Sequence, residues 1–116
     1  MEKIIEVDGK QLKFKATAAT PIHYKNIFGS DLLVDLTNIT KSFEKNADTM
    51  PPETLEKFGQ IAYVMNKQGD PEQPDNWLEW LDQFEIFSIV TVLPQILELW
   101  AMNTQTGSVQ KKSHAR

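Results

Sequence analysis

Histidine is the side chain used most often for acid–base catalysis near neutral pH, and this sequence contains two, His23 and His114. His114 lies in a polar C-terminal stretch that predicts no fixed geometry around it. His23 falls in the first turn of a predicted helix, beside Tyr24, where a solvated or hydrogen-bonded surface histidine is the common outcome. The chain has no cysteine and no close pair of histidines, so the sequence predicts neither a zinc site nor a catalytic histidine.

Carboxylates at helical spacing are the other groups that could act as an acid–base pair or bind a cation. Glu79, Asp82 and Glu85 are spaced by three residues and would share one helix face. Asp31 and Asp35, four residues apart, would do the same. No glycine-rich phosphate loop accompanies them, and DPEQPD lacks the oxygen spacing and central glycine of an EF-hand loop. We therefore interpret both sets as solvated helix faces, and predict that the protein is not an enzyme and uses no cofactor or metal.

Aromatic residues are concentrated in the last third of the chain, in the stretches NWLEWLDQF and LELW. Core packing explains at least two of the three tryptophans, because large aromatic side chains are usually buried. A tryptophan left at the surface would instead favour a protein partner, since tryptophan is enriched at interface hot spots. The candidate partner-binding residues are whichever of the following prove exposed: Trp77, Trp80, Phe84, Trp100 and Met102.

The composition is that of a single globular domain of 116 residues, with 41% hydrophobic and 24% charged residues. No apolar run is long enough to cross a bilayer, and the start MEKIIEVDGK lacks the apolar stretch of a signal peptide, so we expect a soluble cytosolic protein. The net charge of −4 and the single arginine, Arg116, disfavour nucleic acid as the main ligand. Phosphate binding usually needs several basic side chains on one face.

The N-terminal stretch IIEVDGKQLKFKAT predicts a β-hairpin. Asp8-Gly9 suits a type I′ turn, which needs positive φ at both central residues. Apolar and polar residues alternate on both sides of this turn, so one face is apolar and must pack against another part of the fold. The apolar residues of that face are Ile5, Val7, Leu12 and Phe14.

The rest of the chain predicts helices. Thr20-Pro21 supplies an N-cap and a first-turn proline for the first helix, and Gly29 ends it. A second helix starts at Ser30-Asp31, and a third starts at Thr49 or at a following proline. One apolar stripe is expected on each: Leu32, Leu36, Ile39 and Phe43 on the second, and Leu55, Phe58, Ile61, Ala62 and Met65 on the third.

After the helix-breaking stretch QGDPEQPD, Asp75 is predicted to cap a last helical segment with a kink or restart at Pro94. The β-branched run IVTV, residues 89–92, could be a strand, but helix is favoured because an apolar stripe continues on both sides of it. That stripe consists of Ile86, Val90, Leu93, Leu97 and Trp100. The predicted fold class is α+β, with a small N-terminal hairpin packed on a bundle of four or five helices. A single domain over residues 1–102 is followed by a flexible basic tail over 103–116.

The stretch FKATAATPIHYKNIFGSDLLVDL, residues 14–36, resembles the tail assembly chaperones of long-tailed (siphovirus-type) bacteriophages and prophages of Gram-positive hosts. In that family a phrase like FKATAAT precedes a Thr-Pro helix, an aromatic residue and a Phe-Gly-x-Asp-Leu turn. Tyr24 and the turn Phe28–Leu32 occupy the last two positions here. WLDQF and VLPQILELWAMN follow in the same order, so the likeness spans roughly residues 1–103.

The resemblance implies a non-enzymatic protein–protein interaction in virion morphogenesis. Such chaperones bind the aggregation-prone tape measure protein and keep it soluble until the tail tube polymerises around it. They act in the host bacterial cytoplasm and are absent from the mature virion. Many are also made as a longer form by ribosomal frameshifting, and such a form would reach the tail tube protein. Whether the subunits self-associate along the client stays open.

The basic tail has two explanations. Residues 1–102 carry a net charge of −7, whereas residues 103–116 carry +3. Lys111-Lys112 could be encoded by an A-rich slippery run, which would mark the region where reading frames diverge. The alternative is an ordinary disordered C-terminus.

Two other functions compete with the chaperone hypothesis. The first is another phage morphogenesis factor, such as a head–tail or tail completion protein, which would be part of the virion. The second is a small DNA-binding regulator that uses the basic tail, although the acidic body disfavours it.

Overall fold

The structure is a computed structural model that describes residues 1–45 and 51–100, but not the side chain of Phe43. Its elements, in chain order, are β1 (Glu2–Val7), β2 (Lys10–Lys15), α1 (Thr20–Phe28), α2 (Leu32–Lys45), α3 (Pro52–Gly69), α4 (Trp77–Leu81), α5 (Ile86–Val90) and α6 (residues 92–100). An antiparallel two-stranded hairpin followed by helices confirms the predicted α+β class. No helix in the described part of the chain is both long and apolar enough to span a bilayer.

The hairpin turn has the backbone geometry that the sequence predicts. The φ angle is 53° at Asp8 and 80° at Gly9, and Val7 pairs with Lys10 across the turn. All four apolar residues of the predicted inner face are buried: Ile5, Val7, Leu12 and Phe14. The hairpin needs a second layer to bury them, and α3 contributes to it by contacting β2.

The third helix is the central element of the fold. Nine consecutive residues, Phe58–Asn66, are buried. The predicted stripe residues Phe58, Ile61, Ala62 and Met65 are among them, but burial extends around the helix beyond this one side. The hairpin strand β2 and helices α1, α2 and α4 all contact it, so even the polar side chains of Gln60 and Asn66 are enclosed. A helix covered on all sides is a core helix rather than an amphipathic surface helix.

Asn66 connects three elements from the centre of this core. Its Nδ2 donates to the carbonyl oxygen of Lys13 in β2 at 2.9 Å, and its Oδ1 accepts the indole N–H of Trp80 in α4 at 2.8 Å. Both polar ends of a side chain with 0% exposure are thus satisfied. Because a buried polar group without a partner costs about 1–3 kcal/mol, these two bonds fix the hairpin and α4 relative to α3.

The boundary between α1 and α2 follows the sequence, but the start of α1 does not. Gly29 ends α1 in the left-handed conformation, with φ of 70°, and Asp31 caps α2 by accepting the N–H groups of Leu33 and Val34. Thr20 is not the N-cap of α1 that we predict. It is buried at the first helical position, where its hydroxyl accepts the N–H of Thr17 and donates to Gln68 Oε1 in α3. This tertiary contact replaces the local cap.

The start of the C-terminal segment differs from the prediction. Asn76, rather than Asp75, caps α4 by accepting the N–H groups of Leu78 and Glu79. Asp75 instead lies 2.9 Å from Lys67 Nζ, which also donates to two carbonyl groups of the preceding turn. Lys67 thus holds the helix-breaking stretch against the end of α3.

The helix break after α4 also lies elsewhere than predicted. The chain leaves helical structure at residues 82–85 and again at Thr91, whereas Pro94 lies inside α6. Proline is tolerated there because the N–H groups of the first helical turn have no partner within the helix. Ile89 and Val90 belong to α5, so the preference for helix over strand is confirmed for IVTV outside the turn at Thr91.

The break at Thr91 changes which residues face the core. Ile86 is exposed, contrary to the predicted stripe, and the inward-facing residues of α5 and α6 are Ile89, Val92, Leu93, Ile96, Leu99 and Trp100. In α2, Leu32 and Ile39 are buried as predicted, whereas Leu36 is only partly buried. The stripe predicted for residues 86–100 assumes one continuous helix, and the break at Thr91 shifts the positions that face the core.

The hairpin turn also anchors α5. The Asp8 carboxylate accepts the backbone N–H of Glu85 and the hydroxyl of Ser88. These hydrogen bonds lower the pKa of Asp8 from its usual value of 3.8, the Ser88 bond most of all. Since α5 has no N-cap side chain of its own, Asp8 caps it from the hairpin.

We expect Gly69→Ala to destabilise the fold by about 1–3 kcal/mol, because its methyl group would overlap the backbone carbonyl oxygen of Lys13. Gly59→Ala is the matched control in the same helix. Its methyl group would meet only the side chains of Trp77 and Leu81, at 3.4 Å or more, so we expect a change within about 1 kcal/mol. Urea denaturation measures both values, and equal stabilities would contradict the close approach of α3 to β2.

We expect Asp8→Asn to lower the melting temperature at pH 7, because asparagine keeps the turn conformation but loses the charge that strengthens both hydrogen bonds. A carboxylate with a lowered folded-state pKa stabilises the fold above its unfolded-state pKa, and this contribution disappears as pH falls through the folded-state value. The difference in melting temperature between wild type and variant should therefore shrink below about pH 4. A difference that stays constant down to pH 2 would show that the Asp8 charge plays no part.

Candidate interaction surface

From the sequence we interpret the histidines and the carboxylates at helical spacing as non-catalytic, and the structure places them as follows. His23 is exposed in α1, and His114 lies outside the described residues. Glu79, Asp82 and Glu85 are exposed. Among residues 1–45 and 51–100, no group of three or more histidine, aspartate or glutamate side chains could hold a metal ion.

Asp35 is an exception to the prediction of a solvated carboxylate face. Its carboxylate is buried and accepts the hydroxyl of Tyr24 at 2.7 Å and that of Ser30 at 2.6 Å. Lys57 Nζ lies 3.8 Å from the same oxygen. Asp31, four residues earlier, points outward as the cap of α2. The two carboxylates therefore have separate structural roles and do not form a pair.

The predicted tryptophan patch lies mostly inside the protein. Trp80 is 0% exposed and Trp100 is 7% exposed, so neither can contribute to a surface. Trp77 and Phe84 are partly buried, with the Trp77 ring 6.0 Å from Phe28 and the Phe84 ring 5.1 Å from Trp80. Met102, Lys111, Lys112 and the tail over 103–116 lie outside the described residues. The aromatic cluster of the described chain is thus chiefly a packing feature.

The corner where α1 meets α2 exposes large apolar side chains. Ile22 is 62% exposed and Leu33 is 57% exposed. Together with Pro21, Lys25 and Gly29 they line an open groove of about 460 Å³, which we call the α1–α2 groove. A second depression of about 320 Å³ adjoins it at Leu33 and is lined in part by Val34.

The local sequence explains how the α1–α2 groove forms. Gly29 turns the chain sharply because it adopts positive φ without a steric penalty, and α2 starts three residues later. The Tyr24–Asp35 hydrogen bond then ties the two helices together across the turn. Burial raises the pKa of Tyr24 well above its usual value of 10.0, and the hydrogen bond to Asp35 is the second-largest cause of this increase. The two helices that form the groove are therefore joined by a buried, charge-assisted contact.

A run of apolar residues at the start of α2 marks this surface in the sequence, whereas the aromatic residues do not. Three apolar residues in a row, Leu32, Leu33 and Val34, begin α2, but consecutive residues on a helix are about 100° apart. Leu32 is buried, so Leu33 and Val34 must point elsewhere. An apolar run wider than one helical stripe thus marks surface that the fold itself does not use.

The α1–α2 groove combines apolar and charged side chains. Its apolar lining is flanked by one cation, Lys25, and one anion, Asp31. These groups suit contact with the apolar side of a helix that carries charges at its margins.

Comparison of the chain with protein-family models, with curated proteins and with solved structures gives no match.

We expect Tyr24→Phe to cost about 0.5–1.5 kcal/mol at pH 7, because Asp35 keeps Ser30 and Lys57 as partners. A tyrosine with a raised folded-state pKa stabilises the fold fully below its unfolded-state pKa, and this contribution is lost as pH rises towards the folded-state value. Wild-type stability should therefore fall above about pH 10, and the variant should fall less steeply. Tyr63, whose pKa is also raised by burial, leaves a residual slope in the variant. Parallel curves for the two proteins would contradict the buried position of the Tyr24 hydroxyl.

Proposed function

We propose that this protein is a tail assembly chaperone of a long-tailed bacteriophage or prophage, and that it keeps the tape measure protein soluble before the tail tube polymerises. One observation carries the proposal. Residues 14–36, whose sequence resembles that family, also form the corner that exposes the α1–α2 groove. Ile22 and Leu33 contribute little to the core, so both are available to a partner.

The shape and lining of the groove fit a helical client. A helix with apolar residues at i, i+3, i+4 and i+7 buries one face in such a groove, and the adjoining depression at Val34 extends the contact along α2. Lys25 and Asp31 pair with charges at the edges of the client stripe. Recognition of this kind depends on burying apolar area and needs no catalytic group or cofactor.

The charge distribution supports a role in keeping a client soluble. Residues 68–100 contain seven acidic residues and no lysine or arginine. A surface with a net charge far from zero resists association with further copies of a loaded complex. The client-binding groove lies in the other part of the chain, where acidic and basic residues are balanced.

In this role the protein acts in the host cytoplasm and is absent from the mature virion. A longer form, produced by frameshifting near Lys111-Lys112, would use the same folded body to hold the client and its extension to contact the tail tube protein. The folded body would need only the groove to hold the client.

The test is co-expression with the tape measure protein, using two leucines of nearly equal exposure. Leu33 in the groove is 57% exposed, and Leu78 on α4 is 54% exposed. We expect Leu33→Asp to weaken client binding by about tenfold or more, because burying a leucine contributes about 1.5–3 kcal/mol. Most of the client should then move to the insoluble fraction. Leu78→Asp should keep the client soluble.

Both variants should melt close to wild type, since neither side chain is in the core. If Leu78→Asp alone loses the client, binding lies on the α4 side, beside the partly exposed Trp77, and the groove is excluded. If neither variant affects a client that wild type does keep soluble, the contact lies elsewhere. If wild type itself fails to keep the tape measure protein soluble, the proposed function is wrong.

A further inference from the structure

In the described part of the chain, no residue pairs with the outer edge of strand β1. Met1 and Ala16 exchange both backbone hydrogen bonds across the hairpin, each at 2.8 Å. In an antiparallel pair this arrangement recurs at every second residue, so Lys3, Ile5 and Val7 point their backbone groups toward β2. The N–H and C=O groups of the alternate residues, Glu2, Ile4 and Glu6, therefore point away from the hairpin. None of these groups is hydrogen-bonded to another residue in the described part of the chain.

The two edges of the hairpin differ in this respect. On β2, the outward carbonyl of Lys13 accepts a hydrogen bond from Asn66, and Gly69 of α3 packs directly against this carbonyl. The β2 edge is thus covered by the central helix. Among residues 1–45 and 51–100, the β1 edge presents a row of donors and acceptors without a partner, which is the usual template for adding a strand.

The side chains along the β1 edge indicate the chemistry of that strand. Glu2, Ile4 and Glu6 lie on the outer face of the hairpin, and Ile4 is 59% exposed. Glu2 has a basic neighbour within 4 Å, Lys13 at 3.7 Å, and no ion pair involves Glu6 in the described part of the chain. Two carboxylates flanking an isoleucine are complementary to two cations flanking an apolar residue at the same spacing of two.

A second copy of β1 is a poor occupant of this edge. If two β1 strands paired antiparallel around Ile4, each Glu2 would lie opposite a Glu6 of the other copy, and like charges directly opposite each other are destabilising. The charge pattern therefore favours a different chain over self-pairing.

We propose that the β1 edge binds an extended segment of a protein partner in which an apolar residue is flanked, two positions away on each side, by lysine or arginine. The segment pairs its backbone with Glu2, Ile4 and Glu6, and its cations lie beside the two carboxylates. This surface is separate from the α1–α2 groove, and the proposal does not rest on the proposed function.

The experiment uses the full chain and two synthetic peptides, acetyl-TKTVTKT-amide and acetyl-TETVTET-amide, which differ only in the sign of two charges. Backbone NMR spectra of the protein are recorded as each peptide is added. The lysine peptide should shift the amide resonances of Glu2, Ile4 and Glu6, and the glutamate peptide should bind at least about tenfold more weakly. Equal binding of both peptides, or shifts confined to other elements, would overturn the proposal.

Two variants separate backbone pairing from charge. Ile4→Pro removes an outward N–H without touching a β1–β2 hydrogen bond, so the hairpin should survive while peptide binding is lost. Glu2→Lys combined with Glu6→Lys keeps the backbone intact and should reverse the preference, so that the glutamate peptide binds better. Unchanged peptide preference in the charge-reversed protein would contradict the assigned chemistry even if Ile4→Pro failed to fold.

Hydrogen exchange of the free protein tests whether a second copy, or another segment of the same chain, pairs with the β1 edge. The Ile4 amide should exchange quickly at every protein concentration. Slow exchange that depends on concentration would assign the edge to a second copy. Slow exchange that is independent of concentration would assign it to another segment of the same chain. Either result overturns the proposal.

Discussion

The two hydrogen bonds of the buried Asn66 amide are the constraint on which the arrangement of this domain depends. Apolar burial drives the hairpin and α4 onto α3, but it is non-directional and would tolerate sliding of one element over another. The bonds from Asn66 to the Lys13 carbonyl and to the Trp80 indole are directional, so they select one register of packing. Gly69 lets the backbones of α3 and β2 approach closely enough for this register to form.

A second set of polar contacts fixes the corner formed by α1 and α2. Thr20 and Gln68 join the start of α1 to the end of α3, and Tyr24 and Asp35 join α1 to α2. The polar groups of Thr20, Tyr24 and Asp35 are buried and hydrogen-bonded, whereas Leu33 lies at the surface. These interior hydrogen bonds join α1 and α2 in the arrangement that leaves the apolar lining of the α1–α2 groove exposed.

The two surfaces that we propose for partners would bind through different interactions. The α1–α2 groove offers side-chain area, so its affinity would come from burying apolar atoms and would depend little on salt. The β1 edge offers backbone hydrogen bonds with carboxylates beside them, so its affinity would fall as ionic strength rises. A small domain with both could hold an apolar helix and an extended basic segment at the same time, since the groove and the edge share no residue.

Local features of the sequence determined the hairpin turn at Asp8-Gly9 and the end of α1 at Gly29, because turns and caps depend on the φ preferences of a few adjacent residues. The sequence also determined the inner face of the hairpin, since alternation has a fixed period. Only the tertiary structure decided that residues 58–66 of α3 are buried all round, that Thr20 binds Gln68 instead of capping α1, and that Trp80 is internal. The tertiary structure also decided the candidate surface. Aromatic content pointed to tryptophans that are mostly buried, whereas the groove forms where two helices meet. Burial is a property of what packs around a residue, and those neighbours are distant in the chain.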